Sequence, residues 1–235
     1  MLLKCLPTLL AAVLLLGMLG GCGRPHGDMA TLAEYSIDNY VRTSPVAVGV
    51  KPLAPLERRP RALFMPLRVR QDVARHVTLG KEVSRQIWQE WLSMRLFNVL
   101  QFAENAGPWN AESAVAQGRR LGAELVVGGY VNSYLDGGTE GKSSASLQLE
   151  VYDVSTGAML FSLAQSGLIE KIPARDYYLV SVKERMPLDP AALVVRTLAH
   201  GMGLKVQEWT MTAAERRQKE KDGSWLKGKG DGSAF

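Results

Sequence analysis

From Leu121 to Leu163 the apolar and polar residues fall into a strand rhythm. Leu125–Tyr130 is a hydrophobic run that begins just after Leu121-Gly122, a helix stop. Farther on, Ala145, Leu147, Leu149 and Val151 alternate with Ser146, Gln148, Glu150 and Tyr152. A period of two puts one set on a core and the other toward water. Asp153–Gly157 predicts a tight hairpin turn, after which Met159, Phe161 and Leu163 resume the apolar face. The strand from Leu125 to Leu135 connects to the next through Asp136–Lys142, so three consecutive strands form an antiparallel meander.

The flanking segments change period. Arg61–Val69 predicts a first strand around the run Ala62–Met65, with Pro66 marking an edge or the strand's end. Thr78–Leu96 predicts a helix: Val83, Ile87, Trp91 and Met94 recur at helical spacing, widened by Trp88 and Leu92. Two tryptophans on that stripe fit core packing better than an aromatic ligand box. Asn98–Phe102 is a second short strand, and Asn110 is a natural N-cap for a helix over Ala111–Leu121. Tyr177–Val182 has strand composition between Pro173 and Pro187. Asp189-Pro190 then opens a last helix carrying Leu193, Val194, Leu198, Met202, Val206 and Trp209. The order βαβαβββα predicts an α/β domain over 61–212, a mixed sheet of about five strands flanked by helices.

The ends of the chain bear on address. In 1–21, Lys4 precedes the apolar run Leu9–Leu16 and the small residues Gly20 and Gly21, the layout of a signal peptide. The run is too short to span a bilayer, which takes about 20 residues. Leu19-Gly20-Gly21-Cys22 resembles the lipobox of bacterial lipoproteins, which implies cleavage before Cys22 and lipidation of its thiol and new amine. The alternative is an ordinary secretory signal ending near a Cys. Gly23, in place of an inner-membrane-retaining Asp, favours the outer membrane, with the domain in the periplasm. Gly23–Pro60 holds five of the eleven prolines and reads as a proline-rich tether over 22–60. Within it Thr31–Arg42 offers a turn or two of helix, and Val46–Val50 a segment able to dock on an edge. Residues 213–235, with six basic and four acidic side chains and four glycines, have the composition of a charged, flexible tail.

Composition excludes more than it selects. Loss of Lys4 from 28 basic residues leaves 27 against 23 acidic, a net charge of +4, too modest to argue for nucleic acid. Gly137-Gly138-Thr139-Glu140-Gly141-Lys142-Ser143 is not a phosphate loop: Asp136 stands where its first Gly belongs, and a strand follows where a helix should. His26, His76 and His200 are dispersed, no Gly-x-Ser-x-Gly elbow occurs, and a lipidated Cys22 is no nucleophile. The chain is therefore expected to be no enzyme and to need no cofactor or metal; the alternative, a cell-wall or lipid enzyme, needs an acid–base pair assembled from residues distant in sequence.

Two segments resemble a known group. Leu121-Gly122-Ala123-Glu124-Leu125-Val126-Val127-Gly128-Gly129 is similar to the "lGAd.vv.G.v" run of a superfamily of envelope lipoproteins. Leu149–Leu160, with Asp153-Val154-Ser155-Thr156-Gly157, is similar to its "l.l.dv.TG.vlw" hairpin. The group includes the curli-secretion lipoprotein, the lipoprotein activator of penicillin-binding proteins, flagellar outer-membrane lipoproteins and the TolB amino-terminal domain. The resemblance covers about Arg61–Trp209. It implies a TolB-N-like fold and an envelope role through a protein partner, and it transfers no site residues because its motifs are structural. The alternative it offers, a subunit of an outer-membrane secretion channel or a flagellar or secretion accessory complex, needs paired spanning strands of about 9–11 residues. Glu170–Asp189 is too short and proline-broken to supply them.

Candidate contacts come from charge and aromatics. Arg58, Arg59, Arg61, Arg68, Arg70 and Arg75 form a basic cluster. Arg68 and Arg70 follow the first strand, at the carboxyl end where open α/β sheets bind ligands. Trp109 and Trp225 lie off the apolar stripes, in a turn and in the tail, and exposed Trp is enriched at interfaces. The expectation is an anion or partner contact drawn from Arg68, Arg70, Arg75, Trp109 and Trp225. The competing readings are a solvated basic face and a Trp109 that caps the core.

Overall fold

The computed structural model describes residues 33–52, 54, 56, 58–171, 175–177, 180–211, 215 and 217. In chain order these form β1 (Ala33–Asp38), β2 (Arg42–Thr43), β3 (Ala47–Val50), β4 (Arg61–Phe64), β5 (Arg68–Val69) and α1 (His76–Ser93). There follow β6 (Val99–Phe102), α2 (Ala111–Leu121), β7 (Leu125–Leu135), β8 (Lys142–Asp153), β9 (Met159–Glu170), β10 (Arg175–Tyr177), β11 (Val180–Arg185) and α3 (Pro190–Thr210). Cys22 and Trp225, the signal segment and most of the tail lie outside the described residues.

The chain divides into two units, one of 1–36 with 174–183, the other of 37–173 with 184–235. In the first, β10 pairs antiparallel with β11, in a three-stranded sheet of order β1-β11-β10. The second carries an eight-stranded mixed sheet of order β2-β9-β8-β7-β4-β6, with β3 added on β9 and β5 on β7. The β4, β5, β6 and β7 pairings are parallel; β7-β8-β9 is the antiparallel meander.

Three expectations need correction. Eight strands replace five. Pro66 splits the first strand into β4 and β5, and β2 pairs with β9 within the segment read as tether, where Val46–Val50 docks on β9 as β3, as its sequence suggested. Proline density limits helix and central strand, but short edge strands between prolines still form. In place of the helical turn expected near Thr31–Arg42, β1 forms.

Helix ends follow local chemistry. The Asn110 side chain accepts the Ser113 N–H at 3.0 Å, and Gly122 (φ 65°) closes α2. Asp189 accepts the Ala192 N–H at 2.8 Å, with Pro190 opening α3. The larger core lies between the sheet and α1 with α3, where Phe64, Trp91, Val127, Leu147, Leu149 and Phe161 are buried. Here the Trp91 indole N–H donates to the Ala199 carbonyl at 2.9 Å, so this tryptophan is core. The apolar rows of β8 and β9, each 12 residues long, belong to this core and face helices. A smaller core of Leu63, Met65, Trp109, Val115, Val126 and Val154 lies under α2 on the opposite face.

Candidate functional site

α2 packs on β7 and β8, and no helix lies over the rest of that sheet face among the described residues. By register, Val126, Gly128 and Tyr130 on β7 oppose Tyr152, Glu150 and Gln148 on β8. Gln148 and Glu150 in turn oppose Ala164 and Ser162 on β9. Side chains from all three strands therefore share one surface, apolar under α2 and polar beyond it.

Trp109 sits at the boundary. Its backbone N–H donates to the Pro66 carbonyl at 2.8 Å, which fixes the turn before α2 at the end of β4. The ring lies against Gly128: a Cβ there would meet Trp109 Cε3 at 1.9 Å, so only glycine admits the indole. At 1% exposure Trp109 is core, and the expectation of a surface-exposed aromatic contact is corrected. The indole still reaches the polar surface, because its Nε1–H donates to Glu150 Oε2 at 3.2 Å.

Glu150 is the centre of this surface. It is 7% exposed and is the only charged side chain among the buried described residues. Its other oxygen accepts from Gln148 Nε2 at 2.9 Å. Gln148 Oε1 lies 3.5 Å from Arg70 Nη1, which also donates to Asn132 Oδ1 at 3.1 Å. The Arg70 guanidinium stacks 3.7 Å above the Tyr130 ring. Burial, and then the nearby Glu150 charge, raise the Tyr152 phenol above its usual range. The buried carboxylate is thus held by neutral donors, with its nearest arginine one amide away. Such a network is rigid because each member is positioned by another.

Arg70 and Trp109, 39 positions apart in the sequence, therefore meet through Gln148 and Glu150. Arg68 opposes Tyr130 in register and is exposed on the same surface. Arg75 caps α1 with a left-handed backbone (φ 63°) and makes no side-chain contact with this network. Two others of the cluster pair with carboxylates elsewhere. Arg58 chelates Glu124 at 2.7 and 3.1 Å, and Arg59 pairs with Glu215 at 2.8 Å. The Arg58 hydrogen bond holds the Glu124 carboxyl below its ordinary value. Sequence reasoning missed Tyr130, Asn132, Gln148 and Glu150. The available signal was a Glu on the outward row of an alternating strand, directly opposite a glycine on a neighbouring one.

Beyond Glu150 the face is built of small side chains, Ser146, Ser162, Ala164 and Ser166, which retain solvent exposure. At its far end a trough of about 430 Å³ is lined by Arg42, Lys142, Ser44, Ser133, Ser146 and Ser166. Among the described residues no group of His, Cys, Asp or Glu could hold a metal ion, and no helix is long and apolar enough to cross a membrane.

No family model and no curated protein matches this chain. Solved structures are similar to it at low identity. The PelC dodecamer from Paraburkholderia phytofirmans is 15% identical over 70% of this chain and 97% of that one, with a TM-score of 0.44. The hypothetical protein CT253 from Chlamydia trachomatis is 16% identical over 64% and 98%, with a TM-score of 0.43. The LpoB C-terminal domain from Salmonella enterica is 15% identical over 46% and 83%, with a TM-score of 0.27. At these scores they assign no residue and no activity.

Proposed function

We propose that this chain is a non-enzymatic, outer-membrane-anchored bacterial lipoprotein whose periplasmic domain binds a protein partner in envelope assembly or maintenance. The anchor is lipidated Cys22, and the contact surface is the polar half of the sheet face around Arg70, Tyr130, Gln148 and Glu150. The observation that carries the reading is the buried Glu150 network beside an uncovered sheet surface. Both Glu150 oxygens accept neutral donors, an arrangement that orients the side chains around it. Arg70 is exposed at the rim, stacked and pre-oriented, as interface arginines are. Arg68 adds a second exposed cation and sets salt sensitivity more than affinity.

The test joins anchor and surface. Palmitate labelling and outer-membrane sedimentation should both depend on Cys22 and vanish in Cys22→Ser. Affinity capture from envelope extract should recover a partner with the wild type and lose it with Arg70→Glu at unchanged thermal stability. An unlabelled, freely soluble wild type removes the anchor from this reading. Equal capture by Arg70→Glu removes the surface.

A further inference from the structure

The second surface lies at the opposite edge of the eight-stranded sheet. β6 pairs with β4 alone and is the terminal strand of that path. Unpaired edges expose backbone donors and acceptors and are commonly covered. Beside β6 and the end of α1 is a cavity of about 510 Å³, lined by Arg59, Leu92, Arg95, Phe97, Val99 and Leu100, with Trp91 behind them. Leu92 is 46% and Val99 42% exposed, while Trp91, Phe97 and Leu100 are buried. The cavity thus combines apolar side chains on its floor and wall with Asn98 and two arginines.

Arg59 connects this cavity to the far end of the chain. It donates to the Arg95 carbonyl and, at 2.8 Å, to Glu215 Oε1. Its Nε is buried and has no acceptor among the described residues. Glu215 thus brings the end of the described chain to the cavity rim. Eight residues after Arg217 the sequence reaches Trp225-Leu226, an apolar pair within Glu220-Lys221-Asp222-Gly223-Ser224-Trp225-Leu226-Lys227. Eight residues reach at most about 29 Å, ample to return to the cavity.

We propose that the segment 220–226 of this chain docks on its own domain at this cavity. Trp225 and Leu226 cover Leu92 and Val99, while Glu220 and Asp222 face Arg59 and Arg95. The chemistry matches on both counts: an aromatic–aliphatic pair for the apolar floor, and two carboxylates just upstream of it for two guanidinium groups. The docking shields the β6 edge and supplies acceptors beside Arg59. It assigns Trp225 to an internal contact, separate from the partner surface at Arg70.

Single cysteines on the exposed positions test this in the full-length, detergent-solubilised chain. Val99→Cys should react with a maleimide at least about tenfold more slowly than the same variant truncated after Arg217, and Trp225→Ala should restore the fast rate. Paired Val99→Cys/Leu226→Cys should form a disulfide at monomer mass at least about tenfold faster than Leu121→Cys/Leu226→Cys, whose first position lies at the end of α2. Equal alkylation rates with and without the tail overturn the proposal. A cross-link only at dimer mass assigns the edge to a second copy and overturns it too. Protection that persists after truncation assigns the cavity to another partner, with the same consequence.

Discussion

Along β8, Leu147, Leu149 and Val151 are closed in by α1 and α3, while Gln148, Glu150 and Tyr152 point the other way. The first row meets a continuous apolar core. The second meets one short helix and then open surface, and its one buried charge is stabilised by an indole and an amide. The same strand thus carries a continuous core on one face and, in the proposed function, recognition on the other. Packing tolerates volume-conserving changes on the first face. On the second each polar group depends on a specific partner, and losing one leaves another buried and unpaired.

The comparison predicts a graded series. Trp109→Ala should cost about 3–5 kcal/mol in urea unfolding, as buried Trp truncations do. It also takes the donor from Glu150 Oε2. Gly128→Ala should approach the same loss, since its methyl displaces the indole; a red-shifted tryptophan emission would show the displacement. Ile87→Ala, fully buried on the helical face, should cost about 2–5 kcal/mol yet leave partner capture intact in the folded fraction. Loss of capture there would erase the division between the faces.

Smaller effects sharpen it. Gln148→Leu should cost about 1–3 kcal/mol, because Glu150 Oε1 loses its donor in a buried site. Arg70→Ala should cost only about 0.5–1 kcal/mol for an exposed stacking contact, yet lower partner affinity at least about tenfold. Glu124→Gln should be smallest, below about 1 kcal/mol, because its pairing with Arg58 is largely exposed. The sign follows from the lowered Glu124 pKa. Its contribution is present above the ordinary carboxylate value of 4.5 and is lost as pH falls through the folded value. The variant's stability should therefore fall less steeply in acid, as thermal melts between about pH 3 and 6 would show.

Much of the fold is legible in the sequence because it depends on spacing and local chemistry alone. Asn110 and Gly122 bound α2, Asp189-Pro190 opens α3, and alternation marks β8. The bounds of β7 are likewise legible at Leu125 and Leu135. What escapes depends on partners distant in sequence. β2 has no core of its own and exists by pairing with β9, more than 100 residues later. The Arg70–Gln148–Glu150–Trp109 network joins separate segments through contacts that span 41 and 78 positions. Arg70 and Trp109 stand out by residue type, but only the fold shows that they share one carboxylate.

The most direct test is photo-cross-linking in living cells, with p-benzoyl-phenylalanine at Ser146 on the polar face or at Leu204 on the outside of α3. The account predicts a discrete protein adduct from Ser146, none from Leu204, and loss of the Ser146 adduct when Arg70→Ala is added. An adduct from Leu204 alone, or a Ser146 adduct indifferent to Arg70, would contradict it.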